Sequence, residues 1–438
     1  MPKEFNFTYP WTLSKFGSWN QSNKPIYFVN IYAVSTVGGS EPGIGFAWLK
    51  ELLKHFRIIL YTESEFKPQL VRWLKSQEHI ACMIYFINVG DKARSRCWNQ
   101  GNWAFYLDYW RYQITVYKLA SIQIKLTRPI FLHHLNMIGF REPGYFWLLS
   151  ILHAVPLIWG PIGGYNFPAP YLYKFYGFKI VFHQAIKNLL NFFSFLLPSV
   201  SFSFFRAKLI LLSIPLNKNH IIFKIRNAVI FPETFLTSPH KFSYNKLRIS
   251  LHKDSFSLII IGKLVPRKLV DIAIESIAQL PREILKKVNL RVIGDGPCRQ
   301  ALEKLVTQKS LNHQVTFYGK LSHNDCMSLL NSSDLLIHTS VDEGLPSSVA
   351  EALAFKKMVL AFNSSGISLL EDHYGIKLMP YPKNRGEAVL TLSNKILVAF
   401  TNKDLVKGEF LSLHKHLVSE WSPRNRLLFF ISLIKKIT

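Results

Sequence analysis

The sequence has few cysteines and lacks the pattern of a secreted protein. Its four cysteines stand singly, without a C-x-x-C pair, which is typical of a protein kept in a reducing cytosol. The first residues, Met1-Pro-Lys-Glu-Phe5, lack the basic and then apolar segments of a signal peptide. We therefore expect a cytoplasmic protein.

Acidic residues are scarce as well. There are 27 of them against 53 lysines and arginines, and the formal net charge is +26. Such a charge is typical of proteins that bind nucleic acid or an anionic membrane surface. The chain has no recognised nucleic-acid-binding motif, and its basic residues are spread along it. A basic nucleic-acid-binding protein is therefore the weaker alternative, and we predict no nucleic-acid partner.

Low-complexity tracts and internal repeats are also missing, and hydrophobic residues make up 49% of the 438 residues. A chain of this length exceeds the size at which one hydrophobic core stops growing, so two domains are predicted. The division is expected near a linker at 227–236, which is followed by a polar stretch with few secondary-structure signals.

A strand followed by a helix start is the most informative local pattern. Residues 334–340, DLLIHTS, are apolar and end in small polar residues, which predicts a buried parallel strand. Pro346 suits the first position of a helix because its φ is fixed. The amides of Ser347, Ser348 and Val349 should then point out of the helix end. Such an end binds anions.

Two glutamates, Glu343 and Glu351, flank this helix start. Ser347 and Glu351 are four residues apart and share a helix face, so a phosphate at the helix end would place Glu351 beside the sugar that carries it. Carboxylates accept hydrogen bonds from hydroxyl groups. Each glutamate alone is more simply a solvated acid. Taken as a pair, with Gly344 and Pro346 between them, the two glutamates form a motif of defined spacing.

Residues 343–351, EGLPSSVAE, resemble the E-x7-E signature of family 4 glycosyltransferases, which are retaining enzymes with the GT-B fold. The resemblance implies that Glu343 contacts the donor sugar and that Glu351 holds the ribose of the nucleotide. It also places the residues that follow Glu343 among those that bind the donor: Gly344, Leu345, Pro346, Ser347 and Ser348.

A basic loop, residues 263–268 (KLVPRK), follows another predicted strand. Ligands of open α/β sheets bind at the carboxyl ends of strands, where Lys263, Arg267 and Lys268 would neutralise a diphosphate. Three exposed cations in a solvated turn are the alternative. The family pattern G-R-L-x-P-x-K-G makes Lys268 the phosphate-binding lysine. Lys263 stands in place of the family's arginine, and Leu269 replaces its last glycine.

Two further loops belong to the same resemblance. A strand ending at Gly294 leads into a turn with Gly296, for which a tight turn without a ligand and a role in the site are both open. In the family a G-x-G-P sequence lines the nucleotide pocket here. The loop after the strand 315–319, here Lys320 and Leu321, meets the base through its backbone. Five strands alternating with helices predict a doubly wound parallel sheet.

The first half begins with a strand at 25–32 and a loop that contains Gly38 and Gly39, which suits a diphosphate or an acceptor. This loop resembles the GG-containing first loop of family 4. His133 and His134 end an apolar run. The resemblance implies that one of them contacts the donor sugar, and the other is expected near the surface. Residues 160–164 resemble a G-P-x-G-G turn, expected at the floor of a cleft.

Residues 188–205 contain no Asp, Glu, Lys or Arg and are flanked by Lys187 and Arg206. A spanning helix is disfavoured because the segment contains Pro198 and four serines. The segment then lies either on an anionic membrane surface or in a buried helix pair with a solvated basic face. Both interpretations stay open.

The predicted protein is α/β with the GT-B fold, two Rossmann-like domains facing across a cleft. Residues 1–228 form the acceptor side, 229–415 bind the donor, and a helix in 416–438 crosses back. The function is transfer of a sugar, with retention, from a nucleotide-diphosphate sugar to a glycan or lipid-linked acceptor. The enzyme is expected to lie in the cytoplasm or on the cytoplasmic face of the membrane. A non-catalytic nucleotide-sugar-binding protein is the alternative.

No cofactor is expected apart from this co-substrate. No metal is expected either, because the chain has no D-x-D sequence of the kind that divalent-metal glycosyltransferases use.

Overall fold

The computed structural model describes most of the chain, and its residues divide into two compact units. The first unit contains Met1–Gly163, Phe193–Phe231 and Leu427–Thr438, and the second contains Gly164–Phe192 and Pro232–Arg426. The described residues are 11–36, 40–98, 104–136, 140–165, 167–214, 227–235, 255–370, 377–402 and 419–437.

The first unit is built on an eight-stranded sheet in the order β1-β4-β3-β2-β5-β6-β7-β8. β1 pairs antiparallel with β4 at one edge, and the other pairings are parallel. The inner strands are apolar and buried on both faces, as expected for parallel strands covered by helices. The strands are β1 Trp11–Gly17, β2 Ile26–Ile31, β3 Arg57–Glu63, β4 Ala81–Ile87, β5 Phe131–Asn136, β6 Leu157–Ile162, β7 Ala207–Leu212 and β8 Ala228–Ile230.

The helices that begin in the first part of the chain are α1 Ser40–His55, α2 Lys67–Lys75, α3 Asp91–Trp98, α4 Ala104–Thr127, α5 Phe146–His153, α6 Phe178–Ser194 and α7 Pro198–Arg206. The last helix of the chain, which we label α14, spans Pro423–Lys435. Its Phe430 is fully buried in the first unit, where its ring centroid lies 5.1 Å from that of Trp48. This contact explains why Leu427–Thr438 belongs to the first unit.

The second unit is built on a six-stranded parallel sheet in the order β11-β10-β9-β12-β13-β14. Its strands are β9 Phe256–Ile261, β10 Val288–Ile293, β11 Val315–Gly319, β12 Leu335–His338, β13 Met358–Phe362 and β14 Lys377–Met379. Its further helices are α8 Val270–Ala278, α9 Arg282–Leu285, α10 Arg299–Gln308, α11 His323–Asn331, α12 Ser347–Ala354 and α13 Arg385–Thr401. The predicted α/β class with two Rossmann-like sheets is confirmed.

The strand order reverses between β9 and β12. The chain runs from β9 outward to β11, then crosses back to β12 and continues outward to β14. Loops from β9 and β12 therefore leave the sheet toward opposite sides and open a crevice at their carboxyl ends. Such a switch point is the usual ligand site of an open α/β sheet.

Residues 164–192 lie with the second unit, although the sequence-based division places them in the first domain. The hydroxyl of Tyr176 donates a hydrogen bond of 2.5 Å to the buried carboxylate of Asp271, and Nζ of Lys187 lies 3.1 Å from Oδ2 of Asp342. Leu172 and Tyr173 are buried in the second core. These contacts join residues about a hundred or more positions apart, which local patterns do not reveal.

Several strands differ from the sequence-based expectation. β1, β4, β7, β8 and β14 were not predicted. Residues 160–162, expected in a G-P-x-G-G turn, continue strand β6 and are buried, with a cis peptide bond between Gly160 and Pro161. A β-carbon at Gly160 would lie 2.2 Å from the backbone oxygen of Leu211, so this glycine lets β6 pass close to its neighbour. β8 occupies the start of the expected linker, and the polar stretch after residue 236 lies outside the described residues.

Candidate active site

A small pocket lies at the switch point of the second unit. It is lined by the ends of β9 and β12 and by the loop after β9, with Gly262, Lys263, Lys268, His338, Thr339 and Ser340 at its polar side. The side chain of Lys268 passes close to Gly262, since a β-carbon at Gly262 would lie 3.1 Å from both Cε and Nζ of Lys268. Glycine at 262 therefore leaves room for the lysine to reach the pocket.

The loop after β9 contains a short 3-10 turn, Pro266–Lys268, and ends at Leu269 in the left-handed region with φ 47° and ψ 42°. This is the conformation that glycine adopts readily and that other residues adopt at a cost. The departure from the family's glycine therefore keeps the backbone shape. The Leu269 side chain is fully buried in the second core, which offsets the cost.

Hydrogen bonds join the loop after β9 to the loop after β12. Oγ1 of Thr339 donates to the backbone oxygen of Lys268 at 2.6 Å, and Oγ of Ser340 donates to that of Arg267 at 3.2 Å. Both hydroxyls are buried. The two loops therefore form one framework that sets the positions of Arg267 and Lys268 relative to Glu343.

Glu343 pairs with both cations. Nζ of Lys268 donates to Oε2 of Glu343 at 2.7 Å, and Nη1 of Arg267 donates to Oε1. Arg267 also donates to the backbone oxygen of Asp342 at 3.1 Å. The side chain of Glu343 is 14% exposed, so these charge-assisted hydrogen bonds form in a largely dry site.

The pKa values of this cluster follow from burial and from the mutual charges. Burial alone would raise the pKa of Glu343, but Lys268 and Arg267 together hold it well below its usual range. Burial lowers the pKa of Lys268 against the opposing effect of Glu343. Glu343 is therefore ionised at neutral pH and serves as the counter-ion of the two cations.

The helix start after Glu343 differs by one position from the expectation. Pro346 is the N-cap of α12, with φ −66° and ψ 139°, and Ser347 is the first helical residue. The amide of Val349 donates to the backbone oxygen of Pro346 at 3.1 Å. The predicted set of three outward amides is therefore corrected to Ser347 and Ser348, which precede the first backbone bond of the helix.

Glu351 lies on α12 one turn after Ser347. Its side chain is 15% exposed, and burial raises its pKa to about 8. Nε2 of His323, the first residue of α11, lies 3.7 Å from its Oε1. A protonated Glu351 both donates and accepts a hydrogen bond, which suits a pair of sugar hydroxyl groups.

A third loop, after β13, holds the backbone of the motif. The amide of Gly366 donates to the backbone oxygen of Glu343 at 3.1 Å, and a β-carbon at Gly366 would lie 2.5 Å from the carbonyl carbon of Gly344. The backbone oxygen of the buried Leu345 accepts a hydrogen bond of 2.5 Å from Thr234. Sequence reasoning missed Gly366. Its signal is the polar, glycine-containing run NSSG directly after the strand Met358–Phe362.

The glycines after β10 are explained by contacts between backbones. Gly294 has φ 125°, and a β-carbon on it would lie 1.9 Å from the backbone oxygen of Gly262. A β-carbon at Gly296 would lie 2.4 Å from that of Leu264. Both residues let the two loops pack closely, which accounts for them without a ligand. Lys320 is exposed after β11, and Leu321 packs against the core formed with α12.

Both histidines predicted for the first unit are buried and hydrogen-bonded, so the expectation that one lies near the surface is wrong. The ring of His133 bonds the hydroxyl of Tyr27 at 2.9 Å and the backbone oxygen of Gly160 at 2.7 Å. Burial lowers the pKa of His133 to about 3 and that of His134 to about 4. Both are neutral at physiological pH.

His134 belongs to a buried polar network. Its Nδ1 lies 2.7 Å from the backbone oxygen of Pro143, and its Nε2 faces Tyr109 and Gln113 at 3.3 and 3.4 Å. The ring therefore carries its proton on Nδ1. Gly38 and Gly39 lie outside the described residues; helix α1 begins directly after them, at Ser40.

Helices α6 and α7 expose large apolar side chains, against the interpretation of a buried helix pair. Along α6 the most exposed are Phe178 at 80% and Phe192 at 63%, and the last large one on α7 is Phe205 at 86%. No single helix among the described residues is long and apolar enough to cross a membrane, whereas α6 and α7 pass that test together as a bent pair, by length and composition.

Two Rossmann-like units with a site at the switch point of the second define the GT-B fold, the fold of a large class of glycosyltransferases. Residues 245–397 match the family described as glycosyl transferases group 1. The structure of the Anabaena protein HepE in complex with UDP and glucose is similar to 94% of this chain and to all of that chain, with a TM-score of 0.60. At 15% sequence identity this likeness shows the fold.

Two curated relatives are similar to part of the chain. The alpha-D-kanosaminyltransferase of Streptomyces kanamyceticus is 29% identical over 28% of this chain, and the match covers 32% of the relative. One subunit of the phosphatidylinositol N-acetylglucosaminyltransferase of Arabidopsis thaliana is 26% identical over 31% of this chain, and the match covers 30% of that relative. The chain spans about a third of the length of each relative.

Proposed function

We propose that this protein is a retaining glycosyltransferase that transfers a sugar from a nucleoside-diphosphate sugar to a hydroxyl group of a growing, lipid-linked cell-surface glycan. The observation that carries this proposal is the buried cluster of Glu343, Arg267 and Lys268 at the switch point, with Glu351 on the helix that follows. The match of residues 245–397 to a glycosyltransferase family supports it.

The geometry suggests how the donor is held. Lys268 and Arg267 lie in the loop that follows β9, where they neutralise the diphosphate. The amides of Ser347 and Ser348, at the start of α12, are placed to bind a phosphate oxygen. Glu351, one turn further along, meets the ribose. Glu343 meets the hydroxyl groups of the sugar. Lys263 lines the same pocket and adds positive charge.

The same groups serve the chemical step. The bond between the anomeric carbon and the diphosphate oxygen breaks, and negative charge grows on the departing diphosphate. Lys268 and Arg267 are aimed at that charge before the reaction begins, which is preorganised electrostatic stabilisation. The acceptor oxygen joins the anomeric carbon on the same face, and its proton passes to a phosphate oxygen of the leaving group. No side-chain nucleophile is needed.

A panel of nucleotide sugars tests the function. The wild-type protein and Lys268→Ala are incubated with each donor and a mixture of glycan acceptors, and the release of free nucleotide is measured together with the thermal shift. Lys286→Ala, which removes an exposed lysine of the same unit, is the matched control. We expect one or a few donors to be consumed by the wild type and by Lys286→Ala, and not by Lys268→Ala.

Two other results would choose between the alternatives. Stabilisation by a donor without any nucleotide release, across all acceptors, favours a non-catalytic nucleotide-sugar-binding protein. No response to any donor, with tight binding of polynucleotide, favours a nucleic-acid-binding protein. Retention rests on the resemblance to family 4. Its test is the anomeric configuration of the product compared with that of the donor, measured by NMR.

We also propose that the protein attaches to the cytoplasmic face of an anionic membrane, where a lipid-linked acceptor is found. The exposed apolar residues of α6 and α7 support this, together with the net charge of +26. Lys179 on α6 and Lys208 after α7 are exposed and add basic charge along the same elements. Apolar and basic side chains in one segment are typical of surface-bound helices. The relative that is a subunit of phosphatidylinositol N-acetylglucosaminyltransferase acts, by its name, on a lipid.

A further inference from the structure

His338 is a buried titratable residue to which sequence reasoning assigned no role. It is the last residue of β12, 4% exposed, and it lines the pocket at the switch point. Its Nε2 lies 3.2 Å from Oε2 of Glu343, but off the direction of a well-aligned hydrogen bond. A buried polar atom without an aligned partner is uncommon and calls for a physical reason.

Nε2 of His338 lacks an aligned partner because Arg267, Lys268 and His338 all lie around the one carboxylate of Glu343. In this structure the two carboxylate oxygens of Glu343 are paired with Arg267 and Lys268. His338 therefore lies beside the carboxylate without an aligned hydrogen bond to it. These are the two cations that the proposed function assigns to the diphosphate. A carboxylate and a diphosphate compete for the same donors, and the donors of Lys268 and Arg267 are limited in number and direction.

The charged groups that face His338 come from two loops. Glu343 belongs to the loop after β12, and Arg267, Lys268 and the pocket-lining Lys263 belong to the loop after β9. Burial lowers the pKa of His338 most, the two cations Lys268 and Arg267 lower it further, and Glu343 raises it. His338 is therefore neutral as long as Lys268 and Arg267 face it and no diphosphate adds its negative charge to that of Glu343.

We propose that His338 is a positioning residue: when a diphosphate takes over Arg267 and Lys268, the carboxylate of Glu343 turns to Nε2 of His338, which accepts a proton and keeps Glu343 at the donor sugar. The proton comes from solvent. Before binding, two cations and one carboxylate face the ring; the diphosphate adds negative charge to that set, so a charged imidazolium becomes favourable. This inference rests on the proposed function and adds a residue to its site.

The first test measures protons. UDP, ADP and GDP are titrated into the wild type by calorimetry, and the one that binds is used in two buffers of different ionisation enthalpy between pH 6 and pH 8. We expect proton uptake on binding, with the affinity rising as the pH falls, by at most about tenfold per pH unit for one proton. His338→Gln should take up fewer protons than the wild type when the nucleoside diphosphate binds. The difference is the number of protons that His338 itself takes up. The ligand and Glu351 are common to both proteins, so the difference reports His338.

The second test measures position. The amide nitrogen of glutamine overlies Nε2 of histidine but does not titrate. On the donor that the wild type consumes, His338→Gln should keep most of kcat. His338→Ala should lose at least tenfold in kcat with little change in the KM of the donor. Glu343→Gln removes the competing anion, so it should bind the diphosphate several-fold more tightly than the wild type. Thermal unfolding reports whether each variant folds, and His338→Asn replaces any that does not.

The outcomes separate this inference from the proposed function. Nucleoside diphosphate that binds both proteins with no greater proton uptake by the wild type than by His338→Gln overturns the role of His338 and leaves glycosyl transfer standing. An equal loss of kcat in His338→Gln and His338→Ala overturns it too. If no nucleoside diphosphate or nucleotide sugar binds, the proposed function fails and this inference fails with it.

Discussion

The ammonium of Lys268 lies 2.7 Å from the carboxylate of Glu343, and the two residues are 75 positions apart in the chain. Both are largely buried at the switch point of the second sheet. The acid proposed to meet the donor sugar is thus the counter-ion of the lysine proposed to meet the diphosphate. The proposed binding of a donor would therefore rearrange this pair, and substitutions of Lys268 or Glu343 test that proposal directly.

The first prediction concerns Glu351. If it holds the ribose, Glu351→Ala weakens binding of the nucleotide by about 1–3 kcal/mol, because two neutral hydrogen bonds to ribose hydroxyl groups, each contributing about 0.5–1.5 kcal/mol, are lost. Glu343→Ala should lower turnover without weakening nucleotide binding, because its carboxylate competes with the diphosphate for Lys268 and Arg267. Calorimetric titration of the nucleotide measures both, with Glu283→Ala on α9 as an exposed control. Unchanged affinity in Glu351→Ala would falsify the ribose assignment.

The second prediction is that turnover does not depend on a divalent metal. The cations Lys268 and Arg267 already face the proposed diphosphate position, and the chain has no D-x-D sequence. Activity should survive EDTA, whereas Lys268→Ala should lose at least tenfold, and the exposed control Lys286→Ala should lose nothing. Nucleotide release with and without chelator is the measurement. Activity that returns only when Mg²⁺ or Mn²⁺ is added would contradict this account.

The third prediction uses the pKa of Glu351. Burial raises this pKa from its ordinary value of 4.5 to about 8, so the folded protein binds a proton that the unfolded chain releases between these values. The contribution of Glu351 to stability therefore falls as the pH rises from about 4.5 to 8. Urea unfolding at pH 5 and pH 8 should show that Glu351→Gln gains stability relative to the wild type at pH 8. An equal difference at both pH values would mean that Glu351 is ionised in the folded protein.

The fourth prediction concerns the left-handed Leu269. Leu269→Gly relieves a conformational cost of about 1–2 kcal/mol but loses a buried side chain that contributes about 2–5 kcal/mol. We expect a net loss of about 1–3 kcal/mol in the free energy of unfolding. Leu269→Ala loses the side chain and keeps the positive φ, so it should be less stable than Leu269→Gly by about 1 kcal/mol. Urea denaturation of the three proteins checks this order, and the reverse order would show that φ at 269 carries no cost.

The fifth prediction concerns the surface of α6. Wild-type protein should sediment with phosphatidylglycerol vesicles and not with phosphatidylcholine vesicles, and salt should release it, because attraction to an anionic leaflet is screened within about 8 Å at physiological salt. Phe178→Ser with Phe182→Ser should reduce binding, while Leu390→Ser with Val398→Ser, also exposed but on α13, should not.

Stability should change little in either double variant, since all four side chains are exposed. Wild-type protein that stays in the supernatant with anionic vesicles at low salt would rule out the attachment. A requirement for detergent to release it would indicate insertion across the bilayer. Polynucleotide belongs in the same experiment, since tighter binding to it than to vesicles would favour the nucleic-acid alternative.

The sequence by itself determined the parts of this protein that depend on local patterns. Charge-free runs of apolar residues located β9, β12 and β13, and the spacing of Glu343 and Glu351 around a proline indicated the helix start of α12. These features depend on residues within one element, where periodicity and fixed φ act directly. Even so, the helix began one residue later than expected, since Pro346 serves as its cap.

Only the tertiary structure decided which side chains meet. It paired Glu343 with Lys268 and Arg267, brought His338 to the same carboxylate, and set Gly366 against the backbone of the motif. It buried His133 and His134 among hydrogen-bond partners, because neighbouring strands and helices cover the end of β5. Pairing between distant residues depends on sheet order and loop path, and a local pattern carries neither.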